Sequence, residues 1–193
     1  VAADRAGIDD EHLRQILPRV RTLTGWPVAW VRAARSYIAL ARQAQRAGES
    51  HEAARLKANA ALCFHFAQVL EYGNLRRKRQ LGRRAATVFA RAVAHPDFGL
   101  RHVEIPWRGT TLPGYLRLPV CDASGPYSLV VLLNGASTVK EETIHWADAF
   151  VAQGQAVLAI DTPGSGESLE RAPGSPHQID VADALPVFAE PAP

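Results

Sequence analysis

The chain has 193 residues, 47% hydrophobic and 21% charged, with 22 Lys+Arg against 19 Asp+Glu for a formal charge of +3. That mixture excludes a disordered or collagenous chain, and its length suits one domain or two small ones. Its apolar run from Ser128 to Leu133, five apolar residues after the serine, falls far short of the ~20 residues that cross a bilayer, and 1–20 lack an export pattern. The charge is unevenly spread: residues 1–100 hold 17 Lys+Arg and 8 Asp+Glu, while 101–193 hold 5 and 11. The first stretch is rich in Ala, Arg, Leu and Gln, side chains that lose little freedom in a helix. Asp9-Asp10-Glu11 opens a helix striped by Leu13, Ile16, Leu17 and Val20, with Pro18 limiting its straightness. A second helix runs from Pro27 to Arg46, stopped by Gly48. A third starts at a Ser50 cap and passes through Leu62, Phe66, Val69 and Leu70 to Gly73, and a fourth covers Gln80 to Ala94. Together they predict a helical bundle or hairpin stack over 1–98.

Composition changes near His95-Pro96, after which Val, Gly and Pro take over. Residues 101–105 and 112–118 alternate as half-buried strands around the turn Trp107-Arg108-Gly109-Thr110, predicting a hairpin. Leu129 to Leu133 is a continuous apolar run, as in a strand buried on both faces of a parallel sheet, and Ala156 to Ile160 is its partner. Between them Thr138 to Gln153 carries a helical stripe of Ile144, Ala147, Phe150 and Val151, completing a βαβ crossover. One short helix is expected over 179–188.

Two loops leave the carboxyl ends of these strands, where open α/β sheets bind ligands. The first reads Asn134-Gly135-Ala136-Ser137-Thr138-Val139-Lys140-Glu141-Glu142. It is either a ligand loop, in which Gly135 lets a substrate oxygen reach the backbone, or a plain strand-to-helix turn with Ser137 or Thr138 as cap. The second, Asp161-Thr162-Pro163-Gly164-Ser165-Gly166-Glu167-Ser168, has glycines around a serine but no phosphate-loop signature, and a tight turn explains it equally well.

These loops, together with Ile105-Pro106 and Gly109-Thr110-Thr111-Leu112-Pro113-Gly114-Tyr115-Leu116, resemble the opening of an α/β-hydrolase. More narrowly, they resemble the group that includes 2,6-dihydroxypseudooxynicotine hydrolase and the fermentation–respiration switch esterase, which also carry a helical segment before the sheet. The resemblance implies an α/β fold with a helical N-terminal cap over 1–98, followed over 99–193 by the first strands of an incomplete hydrolase sheet. It implies hydrolysis of an ester, or of a carbon–carbon bond next to a carbonyl, in a small-molecule substrate and without a cofactor or metal. Matched by residue, the oxyanion loop is Asn134-Gly135-Ala136, with the Ala136 N–H as donor, Gly135 making room for it, and Asn134, Lys140 and Glu141 binding or bordering the substrate. The sequence departs from the group in lacking Gly-x-Ser-x-Gly: Ser137 has Val139 and Ser168 has Glu170 where the second glycine belongs, and Ser165 has Pro163 and Glu167 in place of both. The nucleophile, acid and His of a triad are therefore expected beyond the end of this chain, which would be inactive alone. With Val1 in place of Met and a Pro-rich end, the chain reads as a truncated fragment that would dimerise or need a complementing chain.

Other features point to packing. Cys63 and Cys121 are expected as free thiols of a cytoplasmic protein, and Cys63-Phe64-His65 lacks the spacing of a zinc site. Arg76-Arg77-Lys78-Arg79 with Arg83-Arg84 is expected as a solvated helix face, not a nucleic-acid surface. Glu141 and His145 stand at i, i+4 and are spaced to pair. The rival reading is a non-catalytic helical interaction module of tetratricopeptide-like texture over 37–67, or a pseudo-hydrolase, although only one such unit is apparent.

Overall fold

A computed structural model describes residues 8, 13–14, 16–20, 22–119, 126–135 and 137–171. Ala136, Cys121 and the helix expected over 179–188 lie outside the described residues. The chain divides into two compact units, Val1–Leu100 and Arg101–Pro193.

The first unit is built on three long helices: α1 (Gly25–Arg46), α2 (Ser50–Val69) and α3 (Leu75–Val93). α1 buries Trp30, Ala34, Tyr37, Ala41 and Ala44, whose steps of four and three trace one stripe, and a left-handed Gly48 follows its end. α2 packs against both α1 and α3. It is buried nearly all round, because Ala53, Ala60 and Ala67 let one neighbour approach while Leu62, Phe64 and Phe66 fill the remaining space. Trp30 lies 5.0 Å from the Phe66 ring and Trp26 donates its indole N–H to the Phe66 carbonyl at 2.6 Å, which ties α1 to the end of α2. Leu13 and Ile16 join this core, and Pro18 sits in a 3₁₀ turn, Leu17–Arg19.

Two boundaries differ from expectation for local reasons. Ser50 is the first residue of α2 and not its cap; Glu49 holds that position without a side-chain bond. α3 begins at Leu75 instead of Gln80, because the Asn74 carbonyl oxygen Oδ1 accepts from the Arg77 N–H at 2.9 Å and draws the basic run into the helix.

The second unit holds a four-stranded sheet in the order β1-β2-β4-β3, with β1 Leu100–Trp107, β2 Thr110–Arg117, β3 Leu129–Leu133 and β4 Ala156–Ile160. The hairpin turn Arg108-Gly109 has positive φ at both positions, as a primed two-residue turn needs. β2 runs antiparallel to β4, aligning Gly114 with Ile160, and β3 runs parallel to β4, aligning Leu133 with Ile160. Gly114 keeps the two strands close: a Cβ there would stand 3.0 Å from the Ala159 carbonyl oxygen. The strand buried throughout is β4. β3, expected to be buried on both faces, is outermost among the described strands and leaves Leu129 and Leu133 about two-fifths exposed. An apolar run alone does not distinguish a central strand from an outer one. The crossover is three short pieces instead of one helix: α4 (Lys140–Thr143), a 3₁₀ turn (Ile144–Trp146) and α5 (Ala147–Val151).

Candidate active site

Because β3 and β4 are parallel neighbours in register, the two loops singled out in the sequence leave the same end of the sheet side by side. Asn134 fastens one to the other. Its Oδ1 accepts from the Thr162 N–H at 2.8 Å and the Thr162 hydroxyl at 2.9 Å. Its Nδ2 donates to the Thr138 carbonyl and to Ser165 Oγ, both at 2.7 Å. The side chain is buried and all of its hydrogen-bonding capacity is committed inside the loops.

Behind this link lies a buried ion cluster. Lys140, fully inaccessible at the start of α4, donates from Nζ to Glu141 at 2.6 Å, Asp161 at 2.9 Å and Glu167 at 2.5 Å. Its three N–H donors thus meet three carboxylates, and the Tyr115 ring lies beside it with its centroid 5.4 Å from Nζ. Asp161 is the hub. Oδ1 accepts the Lys140 backbone N–H at 2.9 Å, Oδ2 also accepts the Glu167 N–H at 3.0 Å, and its carbonyl accepts the Ser168 hydroxyl at 2.8 Å. Gly166 makes the wrap possible, since it has φ +46 and a Cβ there would fall 2.2 Å from Asp161 Oδ2. The three carboxylates converge closely enough for a metal ion, but the ammonium already sits among them.

Burial opposes the charge on Lys140, yet Glu141, Asp161 and Glu167 outweigh it and hold the ammonium well above the usual lysine range. Burial pushes the Glu141 carboxyl above its usual range, with Lys140 pulling the other way. Burial likewise raises the Tyr115 phenol. The arrangement is chemically suited to rigidity: it fixes the path of both loops from beneath and exposes neither Lys140 nor Glu141.

The expected residues are thus placed as follows. Asn134, Lys140 and Glu141 come together around the two loops, with Asn134 bonding across them and the other two in the cluster. Gly135 is exposed at the loop's surface, with its N–H donating to Thr138 Oγ1 at 2.6 Å. Ala136 lies outside the described residues. Glu141 takes Lys140 as its partner; His145, one turn on, is held below the usual imidazole range by burial. Ser137 is exposed, Ser165 is bonded to the Thr162 carbonyl at 2.7 Å and Ser168 is buried on Asp161. Asp161, Glu167 and Tyr115 were not expected as partners of Lys140. The available signal was charged residues at the ends of two apolar strands, which need a counter-charge once folded.

In the helical unit Cys63 and His65 are buried in α2, and burial pushes the thiol up, as packing requires. Arg76, Arg77 and Arg79 are exposed on α3. Among the described residues no helix is long and apolar enough to cross a membrane.

A family profile described as "Esterase FrsA-like" matches residues 3–173. The 2,6-dihydropseudooxynicotine hydrolase of Paenarthrobacter nicotinovorans is 29% identical over 145 residues, spanning 75% of this chain and 38% of that protein. The alpha/beta hydrolase pydG of an Acremonium species is 30% identical over 171 residues, 86% of this chain and 40% of that one. Among solved structures, 2,6-dihydroxy-pseudo-oxynicotine hydrolase superposes with a TM-score of 0.72 at 25% identity, covering 88% of this chain and 47% of its own. AbyA5 shares the fold, with a TM-score of 0.62 at 18% identity over 97% of this chain and 47% of its own. The chain therefore spans less than half the length of the relatives it matches.

Proposed function

The chain belongs to the FrsA-like esterase family of α/β-hydrolases, and from that premise we propose that it supplies the cap (1–98) and the oxyanion side (99–193) of a serine hydrolase. The observation that carries this reading is the Asn134 bridge, which fixes the loop after β3 against the loop after β4 at the carboxyl end of two parallel strands. An oxyanion donor in this fold comes from the loop after that strand. The reaction is hydrolysis of an ester, or of a carbon–carbon bond next to a carbonyl, in a small molecule; the Paenarthrobacter and Acremonium relatives named as hydrolases support the class.

In this mechanism the substrate carbonyl gains negative charge as a nucleophile attacks, and the Ala136 N–H meets that charge. One preorganised donor of this kind lowers the barrier by about 3 kcal/mol. The Gly135 N–H, bonded to Thr138 Oγ1, holds the loop and is not the donor. Asn134, Lys140 and Glu141 are buried, so they act on the substrate through the loop they hold. The attacking serine and its base lie outside these residues, in agreement with the missing Gly-x-Ser-x-Gly.

Incubating the 193-residue chain with a fluorophosphonate probe and with p-nitrophenyl acetate tests this division of labour. The expected result is neither a covalent adduct nor turnover; an adduct on Ser137, Ser165 or Ser168 overturns it. The reading frame past Pro193 is expected to encode a Gly-x-Ser-x-Gly.

A further inference from the structure

At one end of the helical unit, away in sequence from the two loops of the candidate active site, His51, His95 and Asp97 each turn a ligating atom toward the others, all within 4.8 Å. His51 stands in the first turn of α2, His95 just after α3, and Asp97 in the 3₁₀ turn Pro96–Phe98 that leads into the sheet. His51 Nδ1 is 2.8 Å from Asp97 Oδ2 and His95 Nδ1 is 3.8 Å from the same oxygen. The second imidazole is oriented from behind, with its Nε2 3.2 Å from Ser50 Oγ. An Nε2–H donated to that hydroxyl makes Nδ1 the acceptor; it takes the Asp97 backbone N–H in a long bond of 3.4 Å, which an ion at the cluster would replace, and the bond from behind fixes the tautomer as in metal-ligating histidines.

We propose that His51, His95 and Asp97 form a binding site for a divalent first-row transition ion of the zinc type, which clips the start of α2 to the turn after α3. Two imidazoles and a carboxylate are a borderline N₂O donor set that suits Zn²⁺, Co²⁺ or Ni²⁺ better than Ca²⁺ or Mg²⁺. At metal–ligand bonds of about 2.0–2.2 Å, tetrahedral donors sit about 3.3 Å apart. The donor atoms bracket that spacing, and His51 and Asp97, more than half exposed, have room to close it by side-chain rotation. Water completes the shell on the open side. The ion joins residues 44 apart in sequence, which come together only in the folded unit, so its binding free energy adds to the stability of the fold.

The test uses the whole 193-residue chain, stripped with EDTA and dialysed. Titration with ZnCl₂ by calorimetry, and with CoCl₂ by visible absorption, should give one ion per chain with micromolar affinity, together with a rise in Tm on loading. His51→Ala and Asp97→Asn should each abolish the visible cobalt bands, and Ser50→Ala, which removes no ligand, should weaken binding about tenfold. His102→Ala, on β1, is the control and should change nothing. Binding unaffected by His51→Ala and Asp97→Asn, or no binding by the unaltered chain at millimolar metal, overturns the proposal. His51 is on the surface, so its variant retains the fold even where a change at the half-buried His95 does not.

Discussion

Lys140 shows how far one side chain can govern a site. Three carboxylates surround one ammonium out of reach of water, and burial raises the Glu141 carboxyl while Lys140 pulls it the other way. Removing the cation leaves all three uncompensated, and Lys140→Met should destabilise the chain by about 3–5 kcal/mol in urea denaturation. Glu141→Gln removes one negative charge yet keeps an oxygen for Nζ, so it should cost much less than Asp161→Asn, which disrupts the two-oxygen hub for Lys140 and Glu167. The opposite order would mean that Asp161 is not the hub. Gly166→Ala should also destabilise, by more than about 1 kcal/mol, because the new methyl would overlap the Asp161 carboxylate at a left-handed φ. His145 titrates with the opposite sign to a salt-bridged histidine. Its folded value lies below the ordinary one of about 6.5, so the unfolded chain binds more protons in that window. Its contribution to stability is therefore present above pH 6.5 and lost as pH falls through the depressed value; His145→Gln should flatten that part of a stability–pH curve.

At the scale of elements, helix periodicity was readable wherever one face met the core. α1 ends where Gly48 was expected to stop it, and the residues it buries, Trp30, Ala34, Tyr37, Ala41 and Ala44, keep to one face. α2 departs from that rule: a single stripe through Leu62 and Phe66 was visible, but thirteen of its twenty residues are buried, because alanines on the other faces admit α1 and α3. Periodicity detects large apolar side chains and overlooks small ones. Phe64→Ala should therefore cost about 3–5 kcal/mol by denaturant unfolding, whereas Leu40→Ala, on the solvent side of α1, should stay within about 0.5 kcal/mol. In the sheet, the strands, the hairpin turn and the parallel pairing were legible from alternation and from the crossover length. Which strand lies inside was not, since β3 and β4 are equally apolar and only neighbours decide burial. The site was half legible for the same reason. Asn134, Lys140 and Glu141 stand within eight residues, in the loop after β3 and the start of α4, but Asp161 and Glu167 lie 21 and 27 residues from Lys140 and meet it only through the β3–β4 register.

Across the whole chain, composition and charge change near residue 96, and the fold divides into two compact units at Leu100. The helical unit has its own core, around Trp30, Tyr37, Phe64 and Phe66. The sheet unit has an open edge among its described residues. β3 bonds to β4 along one edge only, and Leu129 and Leu133 stay about 40% and 43% exposed on it. A strand with a free row of backbone donors and acceptors and exposed leucines is a template for a second strand, and sheets tolerate such an edge mainly where charge or a bulge blocks it. β3 reads Leu129-Val130-Val131-Leu132-Leu133 without a charged residue. The 193-residue chain should therefore self-associate through this edge, with a weight-average mass above that of the monomer in sedimentation at tens of micromolar. Leu133→Lys places a charge on the outer strand without touching the buried β4, and should return the monomer with unchanged helical circular dichroism. A chain that sediments as a monomer at every concentration, or a Leu133→Lys variant that associates as before, would show that this edge is not the contact.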